Sequence, residues 1–153
     1  GDGAQIVTTA SVAGLLPVGS AGVYTTAKAA TVAMSEALRG ELADENIGVS
    51  VFCPGLVHTN IIQDAQLRDR IMPAGMDPLE AGERVLRGVR ANDLYILSHP
   101  EFRVGIQERF EAILASVPAG ETVPQDRLEA ERPLLRNPLY AQERDRRRRR
   151  QSP

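Results

Sequence analysis

The sequence predicts an α/β fold, a doubly wound parallel sheet of about three strands with flanking helices, followed by a disordered carboxyl-terminal tail. Two near-continuous runs of apolar and β-branched residues, at 5–9 and 49–53, enclose a stretch of about twenty residues with helical apolar spacing. That order, strand then helix then strand, makes a right-handed crossover between parallel strands. A second helical pattern at 78–90 leads into a third short apolar run at 94–97.

Each element follows from its residues. Ile6, Val7, Thr8 and Thr9 are β-branched and give way to the small-residue stretch Ala10-Ser11-Val12-Ala13-Gly14, which reads as a buried parallel strand and its exit. Pro17, Gly19 and Gly22 mark the loop that follows. Over 23–43, Val23, Ala27, Ala30, Met34, Ala37, Leu38 and Leu42 recur at helical spacing on one broad face, and its alanines permit close approach by a neighbouring helix. Asn46-Ile47-Gly48 stops that helix, and Pro54-Gly55 closes the second strand. Residues 56–77, with Met72, Pro73, Gly75 and Met76, read as a long loop of the kind that forms lids and binding segments.

Pro78, Glu80 in the first turn, and Ala81, Val85, Leu86 and Val89 at helical spacing predict the helix at 78–90. Residues 102–117 carry Val104, Ile106, Phe110, Ile113 and Leu114 and read as a terminal amphipathic helix. The expected domain therefore covers 1–117. Pro124, Pro133, Pro138 and the arginine run that follows predict an extended, Pro/Arg-rich tail over 118–153.

Composition bounds the function. The 153 residues suit one ordinary domain, and 42% hydrophobic with 25% charged residues is globular composition. The single cysteine, Cys53, rules out an internal disulfide framework and fits a reducing compartment. No apolar stretch approaches the roughly 20 residues of a membrane helix, and no basic-then-apolar signal opens the chain. A soluble, cytoplasmic protein without membrane contact is the expectation. Formal net charge is −2; the six arginines of 141–153 set against Glu143 and Asp145 leave +4 there and about −6 on the rest. Without interleaved aromatics this basic run reads as a solvated tail rather than a nucleic-acid site. Of 18 basic residues, Lys28 alone is lysine. A compact ammonium has been kept at one place among planar guanidinium forks.

Tyr24 lies four residues before Lys28, which puts both side chains on one helix face. A phenol with an ordinary pKa of about 10 is a poor base at neutral pH. A nearby ammonium favours the phenolate and can lower that value by roughly one to three units. The pair is a tunable acid/base for a proton on an alcohol oxygen. Ser11, at the end of the first strand, could hydrogen-bond the same oxygen, and ligands of open α/β sheets bind at that carboxyl edge.

The strings Ile6-Val7-Thr8-Thr9-Ala10-Ser11-Val12-Ala13-Gly14, Tyr24-Thr25-Thr26-Ala27-Lys28 and Val51-Phe52-Cys53-Pro54-Gly55-Leu56-Val57-His58-Thr59 together resemble the short-chain dehydrogenase/reductases (SDR), whose serine, Tyr-x-x-x-Lys pair and Pro-Gly turn come in this order and spacing. The resemblance spans 1 to about 117. It implies a partial Rossmann-like sheet and an NAD(P)-dependent oxidoreductase interconverting an alcohol and a carbonyl, with NAD or NADP as cofactor, a small-molecule alcohol or ketone as substrate, and a homo-oligomer when intact. Tyr24 would be the general acid/base, Ser11 would polarise the reacting oxygen, and Lys28 would lower the pKa of Tyr24 and bond the nicotinamide ribose. Pro54, Gly55, Val57 and Thr59 would line the nicotinamide, and the loop at 56–77 would close over the substrate.

The family's glycine-rich phosphate loop, its cofactor-selecting residue, its Asn-Ala-Gly motif and its catalytic asparagine have no counterpart in these residues. The chain is therefore expected to be the carboxyl-terminal half of such a domain, inactive alone and binding NAD(P) weakly or not at all. The alternative is an inactive truncated remnant, a binding module acting through its basic tail. Other residues read more simply. Cys53 is expected as a small core residue, His58 and His99 as surface or loop histidines without a metal, and Thr59 equally as a turn cap. Met72 and Met76 fit either a flexible lid or plain packing.

Overall fold

The computed structural model describes residues 3–151. Strands β1 (Ala4–Thr9), β2 (Ile47–Cys53) and β3 (Tyr95–Leu97) form one sheet in the order β1-β2-β3, with both pairs parallel. Ile6 stands opposite Val49 and Thr9 opposite Phe52, and on the far side of β2 Val51 stands opposite Tyr95. The expected three-stranded parallel sheet is therefore present, with β2 in its centre, but β1, expected to be buried, lies at the sheet edge and leaves Ile6 36% and Val7 42% exposed.

The helices are the crossovers. Helix α1 (Gly22–Glu41) joins β1 to β2. After β2 come α2 (Ala65–Ile71) and α3 (Pro78–Arg90), which leads into β3. Val49 and Val51 are fully buried on β2, and Leu94, Ile96, Val32 of α1 and Ala81 of α3 complete this core. Gly88 lets α3 lie directly on β3, since a side chain there would begin 2.5 Å from the Ile96 side chain.

The sheet-facing side of α1 departs from the apolar pattern. Val32, Ser35 and Arg39 are buried, whereas Val23 is 89% and Met34 53% exposed. The expected apolar stripe thus faces outward. Polar anchors take its place underneath: Ser35 Oγ lies 2.7 Å from Thr8 Oγ1 of β1, and Arg39 donates to both the side chain and the carbonyl of Asn92. Hydrogen-bonded polar groups bury as readily as apolar ones, so hydropathy spacing does not mark the side of α1 that packs on the sheet. Asn46 and Asn92, which turn α1 and α3 into their strands, adopt φ of 53°, a left-handed conformation that asparagine tolerates.

Two further expectations change. The loop over 56–77 contains α2, capped by the Asp64 carboxylate accepting from the Leu67 amide at 2.7 Å, and a 3-10 turn at Met72–Ala74. Its ends are joined by a parallel bridge between Val57 and Met76. Residues 125–151, expected to be extended, are mostly helical.

The chain divides after Arg103 into two compact units. Described by itself, the second holds most of α4 (Arg103–Ala115) with α5 (Gln125–Ala130), α6 (Arg132–Leu135) and α7 (Pro138–Gln151). Pro124, Pro133 and Pro138 stand at helix starts, where a missing N–H costs nothing, and pairs such as Gln125 with Glu129 and Arg132 with Glu129 support the turns. The apolar side chains expected to make α4 amphipathic, Val104, Phe110, Ile113 and Leu114, are more than half exposed.

Candidate active site

The carboxyl edge of the sheet gathers the exits of β1 and β2 against the first turns of α1. Beyond β1 the ladder runs one step further, the Ala10 amide donating to the Phe52 carbonyl at 2.8 Å. Ser11 is extended and buried, and its hydroxyl oxygen accepts from the Ala13 amide at 3.1 Å to cap the 3-10 turn Val12–Gly14. The hydroxyl proton points to the Pro54 carbonyl at a long 3.5 Å, while the same carbonyl accepts from the Val12 amide at 2.8 Å. Pro54 thus ties the exit of β2 to Ser11.

Gly14 carries this turn onto α1. A Cβ there would lie 2.6 Å from the Lys28 carbonyl oxygen, so only glycine allows the contact. Lys28 in turn reaches back to donate to the Thr9 carbonyl at 3.2 Å, with Nζ 5.6 Å from the centre of the Tyr24 ring. Tyr24 is 41% exposed, and among the described residues its hydroxyl has no protein partner. The other two Lys28 N–H groups are likewise unpartnered among the described residues.

The structure therefore joins Ser11, Lys28 and Pro54 through the Thr9, Gly14 and Pro54 backbone, with Tyr24 one turn from Lys28 on the same helix. Gly55 and Val57 continue the Pro54 turn, and the Gly55 carbonyl and Val57 amide have no protein partner among the described residues. Thr59 lies on an exposed bend beyond the Val57–Met76 bridge; among the described residues its side chain makes no capping hydrogen bond, the α2 cap being Asp64. An open phenol, an adjacent ammonium and a serine hydroxyl are the parts for proton exchange with a substrate oxygen.

Cys53, at the end of β2, takes no part in that chemistry. Burial, helped by the Glu36 carboxylate, pushes its thiol up to about 12. It is a core residue with an inert thiol, as its apolar strand implied.

One residue near the site escaped the sequence reading. His58 is exposed, but His99 is 9% exposed and sits against the Pro54-Gly55-Leu56 turn. Its Nδ1 is 3.1 Å from the Gly55 nitrogen and its Nε2 2.9 Å from the Leu56 carbonyl. The available signal was position: His99 follows β3 at the same carboxyl edge. Among the described residues no three His, Cys, Asp or Glu side chains group as metal ligands, and no helix is long and apolar enough to cross a membrane.

Residues 1–69 match the family model for short chain dehydrogenases. A C alpha-dehydrogenase from Sphingobium sp. is 33% identical over 140 residues, an overlap of 79% of this chain and 46% of that relative. A solved short-chain dehydrogenase structure from Novosphingobium aromaticivorans is similar at 34% identity and a TM-score of 0.72, over 95% of this chain and 49% of that one. A short chain dehydrogenase/reductase from Burkholderia phymatum, solved in complex with NAD, is 25% identical with a TM-score of 0.68, over 80% of this chain and 52% of its own. The chain spans about half the length of the curated relatives with which it aligns most extensively.

Proposed function

We propose that this chain, which belongs to the short-chain dehydrogenase/reductase family, carries the proton-transfer side of an NAD(P)-dependent oxidoreduction between an alcohol and a carbonyl. The observation that carries this reading is the placement of Lys28, whose ammonium is held by the Thr9 carbonyl beside the Tyr24 ring, at the strand exit that also presents Ser11.

A bound dinucleotide supplies or accepts the hydride. In the direction of reduction, the Ser11 hydroxyl exchanges its long contact with Pro54 for a hydrogen bond to the substrate oxygen, and Tyr24 delivers the proton to that oxygen. Lys28 stabilises the negative charge left on the Tyr24 oxygen. Oxidation runs the same proton in reverse.

The residues present fit the cofactor's nicotinamide end. The two unpartnered Lys28 N–H groups match ribose hydroxyls, and the unpartnered Val57 amide and Gly55 carbonyl match a carboxamide, which needs one donor and one acceptor. Pro54 and Thr59 complete that lining. Either NAD or NADP would suit these groups, since the two differ only by a phosphate on the adenosine ribose. Ile61, Ile62 and Ile71 in the loop at 56–77 favour an apolar alcohol or ketone, whereas Met72 is buried as packing. The exposed stripe of Val23, Ala27, Ala30 and Met34 on α1 supports helix-on-helix contact between copies.

These 153 residues include no glycine-rich phosphate loop, so the chain alone should bind NAD(P) weakly and turn over nothing. The rival reading, a non-catalytic module, draws on the arginine-rich α7.

The test is to fuse the chain to the portion of the Sphingobium relative that it does not cover and to follow NAD(P)H absorbance with aryl and aliphatic alcohols and ketones. Turnover is expected, with a loss of at least about a thousandfold in Tyr24→Phe while cofactor affinity stays within about threefold. Undiminished turnover in Tyr24→Phe would overturn the reading. A folded, cofactor-binding fusion that turns over none of the substrates would favour the non-catalytic module.

A further inference from the structure

Resting on the reading above, we propose that His99 is a positioning residue that sets two peptide planes of the Pro54-Gly55-Leu56-Val57 turn, and through them aims one carbonyl at Ser11 and one amide at the nicotinamide site.

The ring's protonation pattern follows from its partners. The Leu56 carbonyl can only accept, so Nε2, 2.9 Å away, carries the proton. Nδ1 is then the acceptor, taking the Gly55 amide at 3.1 Å and the Ser98 hydroxyl at 2.7 Å. One neutral imidazole in the Nε2–H tautomer therefore satisfies a donor and an acceptor two peptide units apart on the same turn.

A trans peptide points its C=O and N–H in opposite directions. Drawing the Gly55 N–H toward His99 turns the Pro54 C=O the other way, where it meets the Val12 amide at 2.8 Å and the Ser11 hydroxyl at 3.5 Å. Drawing the Leu56 C=O toward His99 turns the Val57 N–H away from the ring, which leaves that amide without a protein partner among the described residues. The Leu56 carbonyl also accepts from the Met76 amide at 2.9 Å, and the His58 amide donates to Met76 at 2.9 Å. The ring thus grips the base of the loop at 57–76 as well.

The ring is itself held. Ser98 is fully buried, and its carbonyl receives an Arg84 guanidinium N–H from α3. Phe102 packs on the imidazole at 6.0 Å between centroids. Gly55 leaves no gap beneath: a Cβ there would stand 2.6 Å from the Phe102 ring and 2.8 Å from His99 Cγ.

The experiment uses the labelled 153-residue chain and three nuclear magnetic resonance readings. Long-range nitrogen–proton spectra report the His99 tautomer, amide exchange reports the turn, and titration with nicotinamide mononucleotide at millimolar concentration reports the Val57 amide. Nε2–H is expected in the wild type. In His99→Leu, exchange of the Gly55 amide should rise at least tenfold and the Val57 response should vanish, with protection across β2 unchanged. His99→Asn, whose side-chain oxygen can take the place of Nδ1, should restore Gly55 protection.

An Nδ1–H tautomer overturns the proposal even if His99→Leu fails to fold. So does unchanged Gly55 exchange in His99→Leu, or a loss of protection spread evenly over all three strands, which would mark a general packing role. If the wild-type Val57 amide ignores the mononucleotide, the cofactor reading of the turn fails, while Gly55 exchange still decides whether His99 sets its geometry.

Discussion

Gly14 and Lys28 meet backbone to backbone: a Cβ on Gly14 would stand 2.6 Å from the Lys28 carbonyl oxygen and 2.8 Å from its carbon. Neither atom belongs to a flexible side-chain end, so the contact cannot relax cheaply. Gly14→Ala should therefore push the Ser11 turn off α1 and destabilise the fold by about 1–3 kcal/mol, the range for overpacking. Thermal unfolding followed by circular dichroism checks it, with Gly82→Ala on α3 as the contrast. A Cβ at Gly82 meets nothing within 4 Å, so that change should stabilise by roughly 0.5–1 kcal/mol through helix propensity. Equal midpoints for both variants would contradict the close approach.

Lys28→Arg should not be conservative. The ammonium is one compact charge with donors left over after its 3.2 Å bond to the Thr9 carbonyl. A guanidinium is longer, planar and forked, and cannot keep that bond, the position beside Tyr24 and the spare donors together. In the fused protein, turnover should fall at least tenfold with Lys28→Arg and further with Lys28→Met. Full activity in the arginine variant would remove the ammonium from the mechanism.

The sheet and the Tyr24–Lys28 pairing were legible for one physical reason: both depend on residue types at fixed short spacings. The apolar and β-branched residues of 5–9 and 49–53 mark strands, although only the second is buried, and Tyr24 and Lys28 four apart must share a helix face. The sheet-facing side of α1 was not legible because Ser35 and Arg39 are buried by partners distant in sequence, Thr8 and Asn92. His99 was missed for the same cause, its partners Gly55 and Leu56 lying 44 and 43 residues away. The helices after residue 117 were missed because prolines count as breakers in a composition reading, whereas Pro133 and Pro138 occupy first turns. Local pattern carries the strands and the motif; long-range polar pairing needs the fold.

Arg39 supplies a test of that polar pairing. Its guanidinium is buried and donates to the Asn92 side chain, to the Asn92 carbonyl at 3.1 Å and to the Val49 carbonyl at 3.4 Å. Asn92→Gly keeps the left-handed turn and deletes one acceptor of a buried charge, a loss of about 1.5–3 kcal/mol. Asn92→Ala should cost roughly 1 kcal/mol more, because alanine resists φ of 53°. Urea unfolding of the three proteins measures both steps. Wild-type stability in Asn92→Gly would show that the anchor is dispensable.

Cys53 makes the last prediction a matter of pH. Desolvation in the core, with the Glu36 carboxylate nearby, raises the folded thiol to about 12 from its ordinary value of 9.0. The folded chain therefore holds this proton more tightly than the unfolded one. Its contribution to stability is complete below pH 9 and is lost as pH rises from 9 toward 12, since there the unfolded state binds fewer protons. The slope approaches about 1.4 kcal/mol per pH unit in that window. Urea unfolding between pH 8 and 10.5 should show stability falling more steeply in the wild type than in Cys53→Ala, which lacks the group. At pH 8.5 iodoacetamide should alkylate the folded chain far more slowly than the urea-unfolded one, because the thiolate is the reactive form. Parallel pH slopes in the two proteins, or equal alkylation rates folded and unfolded, would show that the thiol ionises as freely in the sheet as in water.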